Sequence, residues 1–116
     1  MEIWINPACS KCRTATAALD EAGIDYTVRR YLDDPPTAAE LDDVLDRMGL
    51  EPWDIARMTE QPAAALKGLP RDAAHRADWI TAMVTEPILI QRPILTAADG
   101  TTIVGRNPEA LARVLG

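Results

Sequence analysis

The sequence predicts an α/β fold in which a β-α-β unit and a β-β-α unit are separated by a helical insertion. Three observations carry this prediction. The strand-like run EIWI at 2–5 is followed by a helical pattern and then a second β-rich run, a spacing that matches a βαβ unit. Near the other end, Asp99-Gly100 stands as a hairpin turn between two β-rich runs and is followed by a capped helix. The stretch between these halves is helical in period and punctuated by proline.

Taken in order, residues 2–5 read as a short buried strand. Residues 10–22 read as a helix with Ala15, Leu19 and Ala22 on its inner face, closed by Gly23. Residues 25–31 (DYTVRRY) are β-branched and aromatic and form a second strand. The helical crossover favours parallel pairing of the two strands. Pro35 and Pro36 then break the chain. Thr37 and Glu40 have the spacing of a capping box, ahead of a helix whose Leu41, Val44, Leu45 and Met48 share one face and which Gly49 closes. Residues 51–86 hold shorter helical segments. One starts at Pro52 and Trp53, one covers 61–67, and one covers 74–85 with Trp79, Ile80, Met83 and Val84 on one side, stopped by Pro87. ILIQRPILTA leads into a strand, and TTIVG returns from the Asp99-Gly100 turn. Asn107 and Pro108 then cap and start a last helix anchored by Leu111, Val114 and Leu115. This order is the thioredoxin-like arrangement with an extra helical insert. With no repeat, linker or low-complexity tract, residues 1–116 read as a single domain.

A chain of 116 residues with 47% hydrophobic and 26% charged residues can bury a real core. Its net charge of −6 excludes nucleic acid and anionic membrane as partners of the surface as a whole, so an anion site has to be assembled locally. Glu2 and the lack of a long apolar core in residues 1–10 argue against a secretory leader. No run approaches the roughly 18 apolar residues of a membrane span. The expected setting is cytoplasmic, where a C-x-x-C pair more often performs redox chemistry than stapling.

Cys9 and Cys12 are the chain's 2 cysteines, and C-S-K-C straddles the start of the first helix. Unpaired N–H groups and the positive end of the helix macrodipole favour thiolate there. Such placements lower a thiol from about 8.5 to roughly 3.5–7.5, and Lys11 and Arg13 add positive charge. Cys12, one helical turn on, is placed to attack a sulfur adduct on Cys9; alternatively it is a small residue filling core space. A structural zinc site needs four ligands. The single histidine, His75, lies far away in sequence, so no metal is expected. Trp4, Trp53 and Trp79 are expected in the core, and Asp33, Asp34, Asp42, Asp43 and Asp46 on a solvated face.

NPACSKCRTA, then YLDDPPT, LIQRPIL, the Asp-Gly hairpin and GRNPE occur in that order along nearly the whole chain. Together they resemble the glutaredoxin-related ArsC-type arsenate reductases, a family that also holds Spx-like transcriptional regulators. The resemblance implies that Cys9 is the nucleophile, that Arg57, Arg92 and Arg106 bind the oxyanion, and that Pro93 is the cis-proline facing the cysteine loop. Arsenate is a tetrahedral oxyanion, and guanidinium forks suit its oxygens. Where glutathione- and glutaredoxin-dependent members carry serine, this chain has Cys12, and Ile5 stands where they often carry histidine. The exchange to Cys12 implies an internal Cys9–Cys12 disulfide. The implied partners are arsenate or a similar oxyanion and an external thiol reductant (thioredoxin, or glutaredoxin with glutathione), with no bound cofactor. Two other functions fit the same residues: a general thiol–disulfide oxidoreductase, and an Spx-like redox-sensing regulator, under which RNA polymerase becomes the partner. The three arginines favour the reductase, because disulfide exchange has no need of an oxyanion cluster.

Overall fold

In the computed structural model, which describes residues 1–115, the chain runs β1 (Glu2–Ile5), α1 (Ser10–Glu21), β2 (Thr27–Arg30), α2 (Ala38–Met48), α3 (Arg76–Thr85), β3 (Ile94–Thr96), β4 (Thr102–Val104) and α4 (Pro108–Leu115). Short 3₁₀ turns at Pro52–Asp54, Gln61–Leu66, Ala73–His75 and Pro87–Leu89 interrupt the middle of the chain. Two compact units result, Met1–Asp34 with Arg92–Gly116, and Pro35–Gln91.

The first unit is built on a four-stranded sheet in the order β2-β1-β3-β4. β1 pairs in parallel with β2 (Ile3 opposite Val28), antiparallel with β3 (Ile3 opposite Leu95), and β3 pairs antiparallel with β4 (Leu95 opposite Ile103). This is the thioredoxin-like α/β topology, and the helical segment 35–91 falls between β2 and β3 in the chain. The register decides where chemistry can occur. The carboxyl ends of β1, β2 and β4 and the amino end of β3 all lie at one end of the sheet, where ligands of open α/β sheets bind.

Ile3, Leu95 and Ile103, opposite one another in the sheet, meet Ala15 and Leu19 of α1 and Leu111 of α4 in one core. On α1 the inward stripe is Cys12, Ala15 and Leu19. Ala22, expected on that face, is exposed as the C-cap, because the chain turns away at Gly23, whose φ of 69° suits glycine. β2 is shorter than the 25–31 run. Pairing begins where the Thr27 N–H meets the Met1 carbonyl, and it ends where the Arg30 carbonyl accepts from the Asp33 and Asp34 amides and turns the chain. Tyr31 therefore leaves the ladder and is buried beyond its end.

Gly105, after β4, is packed so closely that a Cβ would lie 2.7 Å from Leu95 Cδ1 and 3.0 Å from Leu111 Cδ2. Gly105→Ala is expected to destabilise the protein by about 1–3 kcal/mol through overpacking, read as a lower urea midpoint with unchanged slope.

In the second unit, Thr37 and Glu40 form the complete capping box at the start of α2, and Gly49 closes that helix at φ 67°. Leu41, Val44 and Leu45 on α2 and Trp79, Ile80 and Met83 on α3 are buried. Trp53 is only partly buried, its ring set edge-on to Trp79 with centroids 6.0 Å apart. The 61–67 segment is a 3₁₀ rather than an α-helix, bounded by Pro62 and by Gly68 at φ 86°, and too short to propagate an α-helical ladder. Asp43 pairs with Arg47 and Asp42 with Arg76, so that part of the acidic face is neutralised. Among the described residues, no helix is long and apolar enough to cross a membrane.

Candidate active site

The loop from β1 into α1 is organised by Asn6. Its side-chain oxygen accepts from the Ala8 amide (3.0 Å), its carbonyl accepts from the Cys9 amide (2.9 Å), and its own amide lies 3.5 Å from Cys12 Sγ as donor. Arg13 ties the loop from outside by donating to the Pro7 carbonyl (3.2 Å). Cys9 thereby becomes the N-cap residue of α1, with extended backbone. Its side chain makes no formal capping hydrogen bond, but the first amides of the helix still bear on its sulfur.

Both thiols are free, and they differ sharply. Burial pushes the Cys9 thiol up. The Cys12 amide, the Arg92 guanidinium, the Cys12 thiol and the Lys11 amide together outweigh that effect and lower it from 9.0 to about 6. Cys12 is only 1% exposed. Burial drives its thiol up to about 11, eased by the Asn6 amide and reinforced by the negative charge on Cys9. At neutral pH the pair is one thiolate with one thiol donating toward it.

Arg92 stands just before β3 and is 9% exposed. Burial disfavours its charge, but the Cys9 sulfur and the Tyr31 oxygen more than offset this and raise its guanidinium above the ordinary value. The Arg92–Pro93 peptide bond is cis. Arg106, just after β4, donates from Nη1 to the Arg92 carbonyl at 2.7 Å and so braces the same segment. Arg106 also lines, with Lys11, Thr14 and Asn107, a cavity of about 180 Å³ beside the first turns of α1 and α4. Arg57 belongs to the other unit, where its Nη1 donates to Gln91 Oε1 (2.6 Å) and its Nε lies 3.4 Å from Glu60 Oε1.

Within the first unit the fold thus gathers Cys9, Cys12, Arg92, Pro93 and Arg106 at one sheet end. Two further residues beside this cluster have no place among the candidates read from the sequence. Asn6 is visible in the N-P-x-C run, as a side chain able to close the turn before a helix. Tyr31 had a weaker signal: it reads as the last residue of a strand, and only the early end of β2 frees it to face Arg92. Among the described residues, no group of three or more His, Cys, Asp or Glu side chains is placed to hold a metal ion.

A model of the ArsC family matches residues 4–114. An uncharacterized protein in the glnII region of Streptomyces viridochromogenes is 59% identical over 117 residues, covering 99% of this chain and 98% of its own. An arsenate reductase of Neisseria meningitidis is 34% identical over 115 residues, covering 99% of this chain and 97% of its own. Among solved structures, an arsenate reductase from Vibrio cholerae superposes with a TM-score of 0.86 at 32% identity, covering 98% of each chain.

Proposed function

The chain belongs to the ArsC family, and on that footing we propose that it is a thiol-dependent arsenate reductase with Cys9 as the nucleophile. The observation that carries this reading is a cysteine lowered to about 6 that faces a nearly buried arginine. That pairing supplies a nucleophile and a cationic oxygen ligand at one point. The Cys9 thiolate attacks As(V) and displaces one oxygen as hydroxide, which leaves as water once protonated. Arg92 holds the remaining oxygens by charge-assisted hydrogen bonds. A second thiolate then attacks the Cys9 sulfur. The S–As bond breaks, its electron pair stays on arsenic, and As(III) leaves as arsenite while two thiols become one disulfide.

Cys12 is the second thiol in this reading, and burial is the largest influence that holds its proton. While Cys9 is ionised, its charge holds the Cys12 proton in place. Once Cys9 is bonded to arsenic, the charge leaves the sulfur for the arsenate oxygens, which Arg92 holds. An external dithiol of the thioredoxin kind, in the cytoplasm, then reduces the Cys9–Cys12 disulfide.

A second reading, a general thiol–disulfide oxidoreductase, draws support from the other two arginines. Arg106 is engaged with the Arg92 carbonyl, and Arg57 with Gln91 and Glu60. Thioredoxin oxidation by the purified protein separates the two readings. Oxidation that requires arsenate is expected; arsenate-independent turnover of a small disulfide at the same rate would replace the first reading with the second. Cys12→Ser is expected to drop thioredoxin-driven turnover to background and to leave Cys9 as a mixed disulfide when glutathione is supplied, seen by mass spectrometry. An unchanged reductant preference would remove Cys12 from the cycle.

A further inference from the structure

We propose that Tyr31 is a positioning residue of the thiol site: its hydroxyl, buried beyond the end of β2, accepts a hydrogen bond from the Arg92 guanidinium and fixes that guanidinium toward Cys9. This rests on the reading of Cys9 as the reactive thiol, but on no particular substrate.

The topology makes the contact possible. β1 lies between β2 and β3, and the Cys9 loop leaves the end of β1. Tyr31 follows β2 on one side of that loop, and Arg92 precedes β3 on the other. Because β1 and β2 are parallel and β3 is antiparallel to β1, all three segments reach the same sheet end. Tyr31 is 0% exposed, so its hydroxyl has no access to bulk water. A phenol oxygen so placed costs about 1–3 kcal/mol unless it is paired, and Arg92 is a partner it has.

Arg92 is then held at both ends. Arg106 fixes its backbone carbonyl, and Tyr31 bears on its side chain. A long arginine side chain has many rotamers, and holding it before a ligand arrives removes an ordering cost from binding and from the transition state. The same anchoring keeps the positive charge on the sulfur, where it favours thiolate. Tyr26 offers a contrast, for its hydroxyl donates to Asp20 in an exposed hydrogen bond.

The test is the pH dependence of Cys9 alkylation by iodoacetamide, followed by mass spectrometry. In the native protein the midpoint is expected at about 6; an ordinary thiol midpoint would sink the Cys9 reading itself, before Tyr31 is examined. Given the low midpoint, Tyr31→Phe is expected to slow alkylation near that pH by about three- to tenfold, the net effect of a typical single hydrogen bond, while the fully ionised rate at high pH is unchanged. In an Arg92→Gln background the same substitution is expected to have no further effect. An unmoved profile in Tyr31→Phe, or an equal shift with and without Arg92, overturns the proposal. If Tyr31→Phe fails to fold, fluorotyrosine incorporated into Tyr26→Phe protein keeps the ring size and weakens the oxygen as an acceptor. The midpoint is then expected to rise, and an unmoved midpoint overturns the proposal.

Discussion

Serine in place of Cys9 is expected to lower arsenate turnover by about 10⁴-fold or more, the loss typical when a nucleophile acting in a coupled set is removed. The serine hydroxyl keeps the geometry of the N-cap position. It does not ionise near neutral pH and makes no sulfur adduct for a second thiol to resolve. A coupled assay with thioredoxin checks the rate, and circular dichroism checks that the fold is intact; retained turnover would remove Cys9 from the mechanism. The same substitution has a stability signature. The Cys9 thiol lies at about 6 in the folded protein against 9.0 ordinarily. A group whose value is depressed by folding stabilises the native state above its unfolded value, and that contribution is lost as pH falls through the folded one. The native protein should therefore gain urea resistance from Cys9 as pH rises from about 6 to 9.0, and Cys9→Ser should lose that part of the pH dependence.

Arg92→Gln is expected to cost about 10²–10³ in kcat/KM for arsenate, the usual effect of removing one oxyanion donor. Glutamine keeps hydrogen-bonding capacity in a similar volume but withdraws the charge. Two effects combine. The anion loses its charged ligand, and the Cys9 thiol loses one of the groups that hold it down. The alkylation midpoint of Cys9 should move upward together with the loss of arsenate turnover. A lost rate with an unmoved midpoint would mean that Arg92 acts on the anion alone. An unmoved rate would leave Arg92 as a structural cation.

Most of the fold is legible in the sequence because its signals are local. The Thr37–Glu40 box, Asn107 as cap, Gly49 after α2 and the Asp99-Gly100 turn each act within a few residues, and all of them form as the residue types suggest. The misreadings fall at the ends of elements, where pairing has not begun or a turn cuts a pattern short. Asp25 and Tyr26 have strand character but no partner in the ladder, which begins at Thr27. Ala22 continues an apolar stripe that the turn at Gly23 cuts short. The 61–67 segment has helical composition but too few residues to sustain an α-helix between Pro62 and Gly68.

The site divides along the same line. A reactive thiol at position 9 follows from a cysteine at a helix start, a matter of one turn of backbone and its unpaired amides. Which arginine meets that thiol does not follow, since Arg57, Arg92 and Arg106 are alike as residue types, yet Arg92 faces the sulfur, Arg106 braces the Arg92 backbone and Arg57 is tied to Gln91 and Glu60. Nor do the depth of Cys12 and the approach of Tyr31 to Arg92 follow, for both depend on sheet register and burial. Dipoles and caps act over one helical turn and are written into neighbouring residues, whereas desolvation and charge pairing belong to atoms brought together from strands far apart in the chain.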